Sequence, residues 1–194
     1  PLLLSGGELR GSRWPRWLGY FGMLGAGFML IEVALLQRFV LLLGHPVYSL
    51  AVTLFSVLLG TGIGSLISRR ISDAALRRTI QFVLLGIVAV AILGIVALPP
   101  IIRGAISASL VLRIALTVLL ITPAGVLMGM PLPAGIRLMA ARDSALVPWA
   151  WGMNGALSVI GATLAVFIAM NWGFSVTLMT GAAIYLTAAV LLRN

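Results

Sequence analysis

The sequence has no cysteine and no lysine, and its 194 residues include one histidine and four acidic residues. Without cysteine, the chain can form no disulfide bond, no thiolate metal site and no cysteine nucleophile. One histidine and four acids also leave almost no ligands for a metal site built from protein side chains alone. We therefore predict no metal and no other cofactor in this chain.

Motifs of soluble enzymes are missing as well. The sequence contains no Walker loop, no HExxH motif and no nucleophile elbow. Ser5-Gly6-Gly7 is not a nucleotide-binding fingerprint, because no strand is predicted before it. The single histidine, His45, falls in a turn at the outer surface, where a Ser-His-Asp triad cannot be assembled convincingly. We predict no catalytic residue in the chain.

Charged residues are scarce, at 9% of the sequence, whereas 61% of the residues are hydrophobic. In soluble domains about a quarter of the residues are charged. A soluble core could not hide this much apolar surface, so lipid must be the solvent for much of it. The sequence therefore predicts an all-α polytopic membrane protein.

Six continuous apolar runs are long enough to cross a bilayer. We predict a cytoplasmic juxtamembrane segment at residues 1–16, the tail of an upstream part, and a transmembrane domain of six helices in one bundle at residues 17–194. The predicted spans are 17–43, 47–68, 79–98, 107–130, 149–170 and 174–192.

Two local predictions concern the ends of these spans. Because proline lacks the N–H that a helix needs, the third span is expected to stop at Pro99-Pro100. Between the fourth and fifth spans we expect a short interfacial helix from Ala134 to Arg142, with Met139 toward lipid and Arg137 toward water.

All 13 basic residues are arginines, and the formal charge is +9. Strong basicity often indicates a nucleic-acid partner, but here the arginines lie mainly in short segments between apolar runs. A cytoplasmic N-terminus would place ten of them inside, at positions 10, 13, 16, 69, 70, 77, 78, 137, 142 and 193, and only Arg103 in an outside loop. The positive-inside rule therefore predicts that both termini are cytoplasmic. We predict no nucleic-acid partner.

The first predicted span carries Glu32, and Gln37 and Arg38 follow in the same apolar run. An ionisable group at membrane depth costs about 2.5–3.5 kcal/mol on insertion scales, and is normally kept only where it faces protein or water. Arg113, in the fourth span, is expected at a depth similar to that of Arg38. Two interpretations stay open: a proton- or cation-handling carboxylate flanked by arginines, or a structural ion pair that locks the two spans together.

Small residues mark the faces on which the spans are expected to pack. The glycines predicted to lie at these contacts are Gly22, Gly25, Gly60, Gly64 and Gly161. Asn154 and Ser158 precede Gly161 at helical spacing, and they either face a partner helix or line the same cavity as Glu32. The candidate site consists of Glu32, Gln37, Arg38, Arg113, Asn154 and Ser158.

Residues 27–68, which include IEVALLQRF and LGHPVY, together with PLPAGIRLMA at 131–140 and PWAWGMNGALSVIG within 148–170, resemble the membrane region of bacterial spermidine-synthase-like proteins. In that family an aminopropyltransferase-like domain, which binds decarboxylated S-adenosylmethionine, is fused to transmembrane segments similar to those of major facilitators. The resemblance implies a half-facilitator-like bundle in a bacterial cytoplasmic membrane. It also implies an upstream synthase-like domain or additional transmembrane helices as partners. None of the family's catalytic positions exists in this chain.

Two functions are compatible with this resemblance. The bundle would transport or admit a small charged metabolite such as a polyamine, or it would only anchor an upstream enzyme at the membrane. A cationic substrate would favour Glu32 as its counter-charge, whereas Arg38 and Arg113 would favour an anionic or zwitterionic one. A water-accessible pocket lined by Glu32, Gln37, Asn154 and Ser158 supports transport, and a dry centre with Glu32 paired to an arginine supports the anchor.

Overall fold

A computed structural model describes residues 14–193, so most of the predicted segment at residues 1–16 lies outside the described residues. The described chain is helical and contains no strand. Its helices are α1 Trp14–Leu43, α2 Pro46–Arg69, α3 Asp73–Ala105, α4 Leu110–Gly129, α5 Pro131–Ala140, α6 Val147–Trp172 and α7 Phe174–Arg193. One 3₁₀ turn, Ser144–Leu146, leads into α6.

Six helical segments of the described chain are long and apolar enough to cross a membrane. Four are single helices, one consists of α4 and α5 together, and one joins the 3₁₀ turn to α6. The predicted fold class, a six-span all-α membrane protein, is confirmed. The order of the spans along the chain also agrees with the sequence analysis.

The predicted end of the third span was wrong. Helix α3 continues through Pro99 and Pro100 and ends at Ala105. Two prolines remove two N–H donors, but hydrocarbon offers no water to satisfy the backbone groups that a broken helix would expose. Continuing α3 through the two prolines therefore costs less free energy than ending the helix at Pro99.

The predicted interfacial helix was also placed wrongly. Helix α5 begins at Pro131, ends at Ala140 and extends the span that α4 begins. Met139, expected to face lipid, is fully buried. Arg137 donates to the carbonyl oxygens of Ser68 and Ile71 and forms an ion pair with Asp73 at 2.5 Å. These contacts hold α5 against the turn between α2 and α3.

Helix α1 is the hub of the bundle, because it contacts every other α-helix. Its most extensive contacts are with α6 and α7. Asn154 of α6 donates from Nδ2 to the carbonyl oxygen of Phe21 in α1, over 3.1 Å. A Cβ atom on Gly25 would overlap the backbone oxygen of Asn154, and one on Gly161 would overlap the α1 backbone at Ala26. Only glycine allows α1 and α6 to approach this closely.

A second close contact through glycines joins α2 to α4. We call this contact and the one between α1 and α6 the glycine seams. Gly60 and Gly64 of α2 face the α4 backbone at Thr122 and Val126. Gly125 and Gly129 of α4 face the α2 backbone in return, so two GxxxG motifs interlock. The second motif was not singled out in the sequence, although its spacing is the same as that of the first.

The helix contacts show an internal repeat. If spans one to three are exchanged with spans four to six, the same pairs of spans remain in contact. The first span packs on the fifth, which is α6, and the fourth packs on the second, which is α2, in both cases through glycines. The third and sixth spans, α3 and α7, pack on each other. This exchange is the one expected of two three-helix units related by an inverted repeat.

Arginines collect at one end of the bundle. Arg16 donates from Nε to the carbonyl oxygen of Leu191 over 2.5 Å, so the start of α1 and the end of α7 lie at this end. Arg77 and Arg142 line a recess with Arg16, and Arg137 lies nearby at the turn after α2. The positive-inside rule predicts that this end is cytoplasmic.

Cysteine scanning tests that orientation on a chain that has no cysteine of its own. Ser72→Cys lies in the turn at the arginine-rich end, where the Ser72 side chain caps no helix donor. Gly104→Cys lies at the opposite end of α3, with no atom within 4 Å of the added Cβ. We expect a membrane-impermeant thiol reagent to label Gly104→Cys in intact cells and Ser72→Cys only after permeabilisation. The reverse pattern would contradict a cytoplasmic N-terminus.

Candidate functional site

A cleft with a volume of about 720 Å³ opens within the bundle. Residues of α1, α2, α4, α5, α6 and α7 line it. Its side chains that carry oxygen or nitrogen are Thr61, Ser65, Arg69, Trp151, Asn154, Ser158 and Tyr185. The walls also include Gly25, Gly62 and Gly129, and of these three only Gly62 has open space where a Cβ would lie. The structure therefore provides a partly polar cavity at the meeting point of the two glycine seams.

Two of the predicted site residues, Asn154 and Ser158, line this cleft. The Asn154 amide donates to Phe21, and the Ser158 hydroxyl donates to the carbonyl oxygen of Asn154 over 2.8 Å. The Asn154 bond joins α6 to α1 and the Ser158 bond lies within α6, and both side-chain oxygens keep lone pairs that can accept hydrogen bonds. The α6 wall therefore offers acceptor oxygens to a ligand that carries N–H donors.

Glu32 is buried in α1, with 8% of its surface exposed. It lies one helical turn beyond Phe28, which lines the cleft. Within residues 14–193 its carboxylate has no hydrogen bond and no ion pair. The carboxylate is therefore next to the cleft without forming part of its wall, and it is not held in a protein salt bridge.

The two arginines expected near Glu32 have other partners. Arg38 donates to the hydroxyl of Ser175 over 3.1 Å and to the carbonyl oxygen of Gly94 over 3.4 Å, which ties α1 to α7 and α3. Arg113 donates to the carbonyl oxygen of Leu42 over 3.1 Å at the end of α1. Neither arginine pairs with Glu32, and neither lines the cleft. The ion pair considered from the sequence is not present.

Gln37 is half-buried and lies outside the cleft. In the described part of the chain its amide makes no hydrogen bond. Five residues, or about one and a half turns, separate it from Glu32, so the two side chains point to different faces of α1. Of the six candidate residues, Asn154 and Ser158 line the cleft, and Glu32 lies one helical turn from the lining residue Phe28.

The sequence analysis missed four cleft residues that carry a hydroxyl or guanidinium group. Thr61, Ser65 and Arg69 follow one another at four-residue steps along α2, a polar stripe that was readable from the sequence. Tyr185 gave no comparable signal, because a single tyrosine within an apolar span is more often a packing residue. Across residues 14–193, no three acidic or histidine side chains lie close enough together to hold a metal ion.

No protein-family model, curated protein or solved structure matches the chain. The geometry of the cleft therefore carries the functional argument. That geometry combines a large cavity, acceptor oxygens on α6 and a buried carboxylate one helical turn from the lining residue Phe28.

Proposed function

We propose that the chain is the integral membrane module of a spermidine-synthase-like protein and that its cleft admits or transports a small charged metabolite, best matched by a polyamine. The observation that supports this proposal is the partly polar cleft beside the buried, unpaired Glu32. Its volume of about 720 Å³ falls within the range of roughly 300–1,000 Å³ usual for small-molecule sites. The module would lie in the cytoplasmic membrane of a bacterium.

The charges near the cleft favour a cation. Arg38 and Arg113, which alone would have favoured an anion, donate to other helices and lie away from the cleft. Arg69 is the one positive side chain among the lining residues, and it belongs to the arginine-rich end of the bundle. A desolvated ammonium group needs acceptor oxygens and a counter-charge, and Asn154, Ser158 and Glu32 supply these.

The proposed partners are an upstream synthase-like domain and additional transmembrane helices. The cleft is open along one side, and polar groups inside hydrocarbon are normally enclosed by protein or water. A further set of helices would close that side. A synthase-like domain at the cytoplasmic face would then produce or use the metabolite that occupies the cleft.

A pair of adjacent cysteines tests water access to the cleft. Gly62 lines the cleft, and no atom lies within 4 Å of an added Cβ. Ile63 is the next residue on α2; it is exposed but does not line the cleft. We expect a charged, impermeant thiol reagent to modify Gly62→Cys and to leave Ile63→Cys near background, because hydrocarbon excludes the charged reagent and suppresses the thiolate.

Spermidine should slow the labelling of Gly62→Cys and leave the background labelling of Ile63→Cys unchanged. Background labelling at both positions would show that water does not reach the cleft, and transport would be rejected. Rapid labelling that spermidine does not slow would reject a polyamine as the ligand.

A membrane anchor without transport is the second candidate function. Arg38, Arg113 and Asn154 each donate to a main-chain carbonyl of a neighbouring helix, so half of the candidate residues have structural contacts. An anchor requires only such contacts. It predicts that spermidine has no effect on cleft labelling and that replacing Glu32 has no effect on uptake.

A further inference from the structure

A second cavity lies among α1, α3, α4 and α7, with a volume of about 120 Å³. Half of its lining residues belong to α3, between Ile87 and Ile101. Fourteen positions separate these two residues, which is about 21 Å along a helix. The cavity shares only Met128 with the cleft. It is therefore a separate, elongated space that follows one membrane span.

Every side chain in the wall of this cavity is apolar. The lining residues are leucine, isoleucine, valine, phenylalanine, methionine, alanine and glycine, so none of those described carries a hydroxyl, an amide or a charge on its side chain. A buried water needs about two to four polar partners, which these side chains do not provide. Apolar cavities of comparable size stay dry and bind small apolar molecules. The lining therefore favours hydrocarbon over water or a polar metabolite.

The wall of the cavity reaches the lipid-facing surface of the bundle. Leu93 is 63% exposed, and Gly94, Ala97 and Leu120 are half-buried. These residues belong to segments that are long and apolar enough to cross a membrane, so the medium at their exposed surface is the hydrocarbon of the bilayer. An empty cavity would destabilise the bundle, because its lining atoms would lack packing partners. Lipid chains are the hydrocarbon available at this depth to fill it.

The extent of the cavity suits a single acyl chain. Ile101 lies four residues before the end of α3 that is opposite the arginine-rich end, and Ile87 lies near the middle of the helix. A length of about 21 Å exceeds half of a hydrocarbon core that is roughly 30 Å thick. We propose that the cavity holds one acyl chain of a phospholipid from the leaflet opposite the arginine-rich end. The headgroup stays outside, so the chain rather than the headgroup is recognised.

Photolabelling of the full chain in lipid vesicles tests this proposal. The probe is a phosphatidylcholine with a diazirine near the middle of one acyl chain, and mass spectrometry locates the label. Ile121 and Leu178 are the test positions, because both line the cavity and each is only 1% exposed. Leu84 is the matched control, since it is fully buried and lies outside the cavity. Val96, which is 70% exposed, reports labelling by the surrounding lipid.

We expect the two test positions to be labelled well above Leu84, once the yields are normalised to Val96. Label confined to exposed positions would overturn the proposal, because bulk lipid alone would account for it. The free fatty acid that carries the same diazirine is the second probe. Label from the fatty acid without label from the phosphatidylcholine would overturn a phospholipid as the source of the chain.

A larger side chain in the wall should displace the lipid chain. Ala97→Leu is expected to lower the label at Ile121 and Leu178 to the level found at Leu84. Ala89→Leu is the control, because Ala89 is exposed on the same helix outside the cavity, and this variant should keep the wild-type labelling. Melting temperatures in detergent show that both variants fold. Equal losses in both variants, or a folded Ala97→Leu chain with undiminished label, would overturn the site.

Discussion

Gly64→Ala is expected to lower the free energy of unfolding by about 2–3 kcal/mol, the upper part of the range for overpacked contacts. The added methyl group would overlap the backbone oxygen of Val126 in α4. Backbone cannot rotate away as a side chain can, so α2 and α4 must separate and lose the contacts of the whole glycine seam. The apparent melting temperature of the purified protein in detergent should fall by about 5–10 °C.

Gly62→Ala is the matched control for this prediction. Gly62 is only two residues away on the same helix, but no atom lies within 4 Å of its added Cβ. Both substitutions raise helix propensity equally, so any difference between them reports the contact with α4. A Gly64→Ala protein that melts together with the Gly62→Ala protein would show that the two helices do not approach each other as the structure has them.

Glu32→Gln is expected to reduce the affinity for spermidine by about 10- to 100-fold, the loss of one interaction with a charged group. The substitution keeps the size of the side chain and removes only its charge. Uptake of labelled spermidine by vesicles that contain the purified chain would measure the effect. Gln37→Leu serves as the control, because Gln37 lies on the same helix outside the cleft and makes no hydrogen bond in the described chain.

The same variant separates a ligand-binding carboxylate from a structural one. Removing the charge of a residue in a buried ion pair would lower the free energy of unfolding by about 3–5 kcal/mol, because the partner would be left unpaired. Glu32 has no such partner within residues 14–193, and a neutral amide is cheaper to bury than a carboxylate. The Glu32→Gln protein should therefore be at least as stable as the wild type. A destabilised protein with unchanged uptake would favour the anchor.

The sequence was sufficient to predict the six spans, because hydrocarbon allows a chain of this composition few structures other than closely packed helices. The same constraint explains the error at Pro99-Pro100. A rule derived from soluble helices overestimated the effect of proline, since in lipid the interruption of α3 would have exposed more backbone groups than the two prolines leave unpaired.

The site was less predictable than the spans. For Asn154 and Ser158 the sequence left open a helix contact or a cavity; both line the cleft, and Asn154 also donates to α1. The hydrogen-bond partners of Arg38 and Arg113 were not predictable from the sequence. These long side chains donate to main-chain carbonyls, those of Gly94 and Leu42, and every residue has such a carbonyl. Which carbonyls come within reach depends on how closely the glycine seams bring the helices together.

The contacts of α1 have a consequence for biosynthesis. Helix α1 ends at Leu43, whereas α6, one of its two most extensive partners, begins only at Val147. At about 5–20 residues per second the ribosome needs roughly 5–20 s to make the intervening segment. During that interval the face that carries Glu32 has neither α6 nor α7 to cover it. The insertion machinery of the membrane must therefore retain α1 until the later helices are made. Earlier release of α1 into the lipid would expose the Glu32 carboxylate to hydrocarbon.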